Sequence, residues 1–481
     1  MGFFSWVSEI FRYRELLAER DKEIAELKAE NAALRAEILE LRAEIAELKR
    51  RLNLNSTNSS KPPSNDGFKR PVRVSSLRGK SGKTSGGQPG HPGTTLRQVQ
   101  NPDHVIHHSS DNCPYCNCSL VNEQEISFQA RQVFDIPPMK LESTEHRAGV
   151  KICPGCKKKV VASFPANVNA PAQYGERLRA TTLYLLHQHF IPEDRLADLL
   201  FDCFNVSMAT DTIAAQSEQL ASKLSVFEED LINYSKAAPV KGMDETGFRI
   251  AKKTHWLHVV ATLKTTWYRV HQKRKDLLDG ISGTVVHDHW KSYFQLSKVK
   301  HGLCNAHHLR ELKALCEIEN EPWALTMAMT LRNAAKLKQD FPAGIEATAA
   351  LQIERDFHKN LNQGLAYHES LPVYAPKGKG GRQAHRVGHN LLIRFSEHAE
   401  DVLRFLHDPA VPFTNNISEQ AVRMMKVKQK ISGGFRTQKA ADNFALIRSF
   451  TETNRKQGQN ILQAISSALR GKLPRLSVNS S

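Results

Sequence analysis

No stretch of the 481-residue sequence stays apolar over the roughly 20 residues a helix needs to cross a bilayer, and the N-terminal MGFFSWVSEIF is broken by Glu9 and followed at once by Arg12 and Arg14. A membrane-embedded protein is excluded on this ground, and the chain is expected to be soluble, unexported and cytoplasmic. Cysteine is scarce, with eight residues of which four form two C-x-x-C pairs. That excludes a disulfide-stapled secreted scaffold and leaves metal ligation as the better use of the thiols. Acidic residues are in deficit: 50 Asp and Glu face 67 Lys and Arg, for a net charge of +17 and a pI near 9.5. Such a balance favours a polyanionic partner, nucleic acid before an anionic membrane. A phosphate-binding loop is also missing. The segment GKSGKTSGG does not have G-x-x-x-x-G-K-[ST] spacing and no strand precedes it, so a nucleotide site there is rejected.

At roughly 150 residues per domain the length implies about three units. A coiled-coil helix is expected over 15–52, and from Ile24 the sequence can be written in unbroken heptads, with Ile24, Asn31, Ile38, Ile45 and Leu52 at a and Leu27, Leu34, Leu41 and Leu48 at d. Glu at g (23, 30, 37, 44) and Lys or Arg at e (28, 35, 42, 49) predict a parallel homodimer, with Asn31 setting register. A basic, Ser-, Gly- and Pro-rich linker is expected over 53–105. Its residues 53–100 hold eight Lys/Arg against the single acid Asp66, a composition suited to loose phosphate contact. The module at 106–165 carries CPYC (Cys113, Cys116) and CPGC (Cys153, Cys156), two turns able to aim four thiolates at one tetrahedral zinc ion. Cys118 is a rival ligand.

Helices are expected over 170–236, with a helix-turn-helix or a plain helical hairpin among them: one helix near Glu193 to Cys203, a turn at Asn205 and Val206, a second helix capped at Ser207. This is the candidate DNA-binding domain. From 237 the pattern turns to strands, PVKGMDETGFRI, THWLHVVATLK, TTWYRVHQ and, after a helix-like stretch, GTVVHDHW. The order resembles a ribonuclease-H-like sheet, in which the first and fourth strands are neighbours and Asp244 and Asp288 come close enough to share a metal ion. By itself a strand-end Asp such as Asp288 can equally open a turn. Further on, Glu419 starts a helix that also carries Arg423 and Lys426 on the same face. From 420 to 475 there are twelve Lys/Arg and two acids, so Arg423, Lys426, Lys428 and Lys430 are candidate DNA-phosphate contacts. Residues 456–481 read as a basic C-terminal segment. Trp256 and Trp290 are expected in the core, and Glu245, by strand alternation, on the side away from Asp244 and tolerant of Ala.

The heptads, GGQPGH (86–91), the two C-x-x-C pairs, MDETGF, HDHWKSYF, CNAHHLREL and TNNISEQAVRMMKVKQKISGGF follow one another in an order that resembles the transposases of the insertion-sequence-66 family, over about residues 20–465. The resemblance implies a multidomain α/β chain with a ribonuclease-H-like DDE catalytic domain at 237–455, interrupted by a helical insertion at about 310–410. It places the triad on Asp244, Asp288 and Glu419 and matches Lys426 to the family's basic residue after the glutamate. The apolar WALTMAM (323–329) and the KGKGGR segment (377–382) fit the insertion. Three oxygen ligands suit Mg²⁺ or Mn²⁺, whereas His287 and His289 are the wrong ligands for such hard ions. The implied activity is metal-dependent cleavage at transposon ends followed by strand transfer, with terminal inverted repeats and target DNA as partners and other proteins of the same element as possible ones. For Cys304 and His307, a C-x-x-H pair with too few ligands for zinc, packing and a hydrogen bond are expected. The rival readings are a dimeric DNA-binding regulator without catalysis and a structure-specific nuclease.

Overall fold

A computed structural model describes residues 3–55, 57–59, 95–137, 139–275, 279–372 and 385–476. GGQPGH, GKSGKTSGG, most of the basic linker and KGKGGR lie outside these residues. The chain divides into two compact units, residues 1–77, 172–196 and 210–481 in the larger and 78–171 and 197–209 in the smaller.

In the smaller unit each C-x-x-C pair occupies the turn of a short antiparallel pairing. Strands β1 (Val150–Ile152) and β2 (Lys159–Val161) flank CPGC, and an isolated bridge between Asn112 and Ser119 flanks CPYC. The two turns repeat one geometry. The residue after the second cysteine, Asn117 or Lys157, has φ near +60° (61° and 58°) and donates its amide to the carbonyl of the first, at 2.9 Å in both.

The larger unit opens with one unbroken helix, α1 (Phe3–Asn53). Its a and d side chains form an exposed apolar row, with Ile24, Leu27, Leu34, Ile38, Leu41, Ile45 and Leu48 all about half accessible. Helices α2 (Glu176–Gln188), α4 (Thr210–Lys223) and α5 (Ser225–Ala237) follow, while α3 (Glu193–Phe204) starts in this unit and runs from residue 197 in the smaller one. Then come β3 (Val240–Ile250), β4 (Lys253–Ala261), β5 (Thr266–His271), β6 (Gly283–His287) and β7 (Val299–Leu303). They form one mixed sheet in the order β5-β4-β3-β6-β7, with β3 to β5 an antiparallel meander and β6 and β7 parallel to β3. The first and fourth strands of the sheet are thus hydrogen-bonded neighbours. Between β5 and β6 the described residues form turns, where the sequence suggested a helix.

Among the described residues five α-helices, α6 (Asn305–Ala314), α7 (Pro322–Asp340), α8 (Ala347–Glu369), α9 (Val387–Glu397) and α10 (Ala399–His407), separate β7 from α11 (Asn416–Ser432), with a π-helical turn at Leu315–Glu319 between α6 and α7. They build their own apolar centre around Trp323, Phe357, Leu391 and Phe395, which joins the sheet at Val286 and Leu303. Helices α12 (Gln438–Lys456) and α13 (Ile461–Leu469) close the unit. Each has a side-chain N-cap: Thr437 accepts from the Ala440 amide and Asn460 from the Gln463 amide. Among the described residues no helix is long and apolar enough to cross a membrane.

Two expectations need correction. Helix α4 starts at Thr210, not at a cap on Ser207, and α2, α4 and α5 do not form a module of their own. Leu183, Leu220 and Leu231 share one apolar cluster with Met243 and Val260 of the sheet and with Ile447 and Phe450 of α12. The C-terminal segment is likewise no simple basic tail. Ile461, Ile465, Ala468 and Leu469 of α13 are buried in that same cluster. Basic residues stand on each side of this apolar stretch, so net charge concealed an amphipathic helix.

Candidate active site

Strand alternation sends Asp244, Thr246, Phe248 and Ile250 to one face of β3 and Met243, Glu245 and Gly247 to the other. Asp244 therefore looks toward α11, whose Val422 and Met425 pack against Phe248, Leu257 and Val259. Helix α11 approaches β3 closely because position 242 is glycine. A Cβ on Gly242 would collide with Asn415 Oδ1 and Ser418 Oγ. Asn415 Nδ2 then donates to the Met243 carbonyl at 2.7 Å, which pins the helix start beside Asp244. Glu419 sits in the first turn of α11, where the helix dipole favours a carboxylate. The parallel register pairs Gly242 with Val286. Asp288 follows directly after the end of β6, near enough for its charge to act on Asp244.

The acids act on one another electrostatically. Burial, first, and then the charges of Glu245, Asp288 and Glu419 push the Asp244 carboxyl up to about 8, against its own bond from the Glu245 amide. A site that loads several carboxylates into a half-buried space is short of positive charge, and this donor set fits a hard divalent cation bound by oxygen. The side chains now satisfy themselves locally. Asp244 Oδ1 accepts from the Glu245 amide at 2.8 Å and Asp288 Oδ1 from the Trp290 amide at 3.0 Å. Cys304 Sγ donates to Glu419 Oε1 at 3.3 Å, while His307 Nδ1 lies 3.7 Å from Oε1 and Arg310 Nη2 3.8 Å from Oε2. Among the described residues the three acids do not gather with their oxygens all within 4.8 Å; Cys304, His307 and Glu419 do. Cys304 is held by the Asn415 amide at 3.2 Å, and burial beside Glu419 pushes its thiol up to about 12.

His287 and His289 turn inward. His287 Nε2 meets His301 Nδ1 at 3.0 Å, and burial pushes both His287 and His289 down to about 3, which makes them neutral packing groups beside Phe294 and His398. Glu245 does face away from Asp244, but its surroundings are not permissive. Its side chain is 2% exposed, Arg274 Nε and Nη2 donate to its Oε1 at 2.8 and 2.6 Å, and the Tyr293 hydroxyl donates to Oε2. The Arg274 guanidinium also lies over the rings of Trp256 (4.9 Å) and Trp290 (4.1 Å), so both tryptophans are half-buried walls of a cation sandwich. Glu245 thus ties the loop that carries Asp288 to β3 through Arg274, Trp290 and Tyr293. Gly242 inside a strand was a sequence signal for close approach; nothing local marked Arg274 or Tyr293.

Along α11, residues 419, 423, 426 and 430 recur at three- and four-residue steps on one face. Arg423, Lys426 and Lys430 are exposed there, and Lys426 Nζ donates to the Gly247 carbonyl at 2.7 Å. Lys428 lies on the opposite face. Its ammonium packs over the Phe435 ring at 3.7 Å, and burial pushes it down to about 8. Other cations of the C-terminal region also serve the interior: Arg448 is buried and donates to Gln188 Oε1 at 2.9 Å, and Lys456 donates to the carbonyls of Thr262 and Thr265.

In the smaller unit, the Cys118 amide and the Cys113 thiol lower the Cys116 pKa, and the amides of Cys156 and Gly155 lower that of Cys153. In each turn these bonds ease the loss of the proton from one thiol. Thiols pair within each turn, but among the described residues no three of them lie within 4.8 Å of one another.

Comparison with known families gives three matches. A model described as Transposase IS66 family covers residues 171–443. One described as zinc-finger binding domain of transposase IS66 covers 110–157, a span that contains both C-x-x-C turns. A family of unknown function matches 16–97. No curated protein matches the chain.

Proposed function

Because the chain belongs to the IS66 family of transposases, which are DNA-cutting enzymes, we propose that it cleaves transposon ends and joins them to target DNA with Asp244, Asp288 and Glu419 as the metal-binding triad. The observation that carries this reading is the seating of α11 on Gly242, which brings Glu419 to the strand that bears Asp244. The strand order, with Asp288 at the end of the strand next to β3, is the one expected of a ribonuclease-H-like core and supports it further.

In this reading the three carboxylates hold Mg²⁺ or Mn²⁺. When bound, the metal supplies activation of an attacking oxygen and charge stabilisation of the leaving one. The protein's own groups do the rest. Arg310 and Cys304 keep the Glu419 carboxyl from swinging freely, the Trp290 amide orients Asp288, and the Glu245 network fixes the Asp288 loop. Arg423, Lys426 and Lys430 line the outer face of α11, where they offer a track for DNA phosphates beside the acids. The exposed a/d row of α1, with complementary g and e charges, supports pairing with the same helix of a second copy. Cys113, Cys116, Cys153 and Cys156 are the proposed zinc ligands, and elemental analysis of the reduced chain that found no zinc would refute them.

Alanine at Asp244, Asp288 or Glu419 is expected to lower Mg²⁺-dependent cleavage by about 10²-fold or more. Binding to end DNA persists, because phosphate contacts carry most of the affinity. Cleavage by Asp288→Ala at the wild-type rate would return Asp288 to the role of turn former. Incubating pre-cleaved ends with a plasmid separates joining from nuclease action alone.

A further inference from the structure

The C-x-x-H pair gains from the fold what the sequence lacked, a third ligand. Cys304 ends the turn after β7 and His307 follows within the first turn of α6, a three-residue step that keeps both on one side. Helix α11 delivers Glu419 to the same point from the far end of the chain. The donor atoms of the three side chains all lie within 4.8 Å of one another, with Sγ to Oε1 at 3.3 Å and Nδ1 to Oε1 at 3.7 Å. Zinc, with bonds of about 2.0–2.3 Å in a tetrahedron, sets its ligand atoms roughly 3.3–3.8 Å apart. Closing on such an ion therefore asks for little movement. His307 Nδ1 is buried with no hydrogen-bond partner, an available lone pair at the site. Arg310 engages the other carboxylate oxygen, Oε2, and leaves Oε1 to a metal. Thiolate, imidazole and carboxylate together select a borderline-soft cation, whereas magnesium takes oxygen alone.

We propose that Cys304, His307 and Glu419 form a zinc site with one open position, and that zinc held there takes Glu419 from the hard-metal site and arrests DNA cleavage. Binding stands on the geometry of the cluster; the arrest rests on the reading of Glu419 as a triad acid. When zinc enters, the Cys304 S–H bond breaks, a Zn–S bond forms and the proton passes to buffer, with no change of oxidation state. None of the four cysteines of the C-x-x-C turns takes part.

The test uses the full, reduced chain titrated with zinc chloride, dialysed and analysed for bound metal. Wild type is expected to retain one zinc more per chain than either Cys304→Ala or His307→Gln, the second variant serving in case the buried Cys304 site does not tolerate change. In parallel, zinc is added to Mg²⁺-supported cleavage of end DNA, and each protein is compared with its own zinc-free rate. Wild type should be inhibited at zinc concentrations at least about tenfold lower than His307→Gln. Equal zinc content in wild type and both variants overturns the site. An extra zinc in wild type that leaves cleavage unaffected overturns the arrest; the place of Glu419 in the triad is read separately, from the cleavage rate of Glu419→Ala.

Discussion

Asp244 and Glu245 are adjacent acids on one strand, and the two-residue period gives them opposite surroundings. Burial raises the folded pKa of Asp244 from 3.8 to about 8. The folded chain then binds that proton more tightly than the unfolded one, so the metal-free protein loses stability as pH climbs between those two values. Asp244→Asn removes this penalty and keeps an oxygen for the Glu245 amide. We predict that it abolishes cleavage yet stabilises the metal-free protein at pH 8 by about 1–2 kcal/mol, after allowance for solvent screening. Thermal melts in chelator at pH 8 and at about pH 4 check this; the gain should vanish at the lower pH. Glu245→Ala leaves Arg274 and the Tyr293 hydroxyl without their carboxylate in a buried setting. A loss of about 3 kcal/mol is expected, together with slower cleavage as the Asp288 loop loosens. A melt indistinguishable from wild type would remove Glu245 from any positioning role.

At the scale of the element, α11 presents two faces with different tasks. The stripe of Arg423, Lys426 and Lys430 stands in line with Glu419, while Lys428 is spent on Phe435 inside the protein. Neutralising the three stripe residues should make the log-log salt dependence of DNA binding shallower, by up to about 0.9 for each DNA phosphate that the protein no longer neutralises. Lys428→Gln should leave that slope as it is and lower the melting temperature instead. If Lys428 alone changed the slope, the assignment of faces would be wrong. The seating of α11 is itself sensitive to a single methyl group at Gly242, whose Cβ would meet Asn415 and Ser418.

Across the whole molecule, the larger unit joins helices from both sides of the sheet sequence. Helices α2, α4 and α5 precede the sheet and α12 and α13 follow it, yet they share one apolar cluster. Removing α13 would therefore unsettle the core and not merely subtract charge. Helix α1 is the exception: it extends an apolar row for which its own chain provides no cover among the described residues. A peptide of residues 15–52 should sediment as a dimer at micromolar concentration, and Asn31→Ile should stabilise it while loosening the choice of oligomer. A monomeric peptide would leave that row to some other partner.

The sequence by itself determined what depends on short-range spacing: the long N-terminal helix, the two cysteine turns, the strand carrying Asp244, the strand that ends before Asp288 and the helix that begins before Glu419. Periodicity and turn chemistry are local, so they can be read without coordinates. It also determined the family, through several motifs in one order. Only the tertiary structure decided which groups meet across long sequence separations: Glu419 with Cys304, His307 and Arg310, Glu245 with Arg274 and Tyr293, Gly242 with Asn415 and Ser418. It likewise separated the cations that face solvent from Arg448, Lys456 and Lys428, which the interior uses. Composition counts charge without recording direction, and direction comes only from packing.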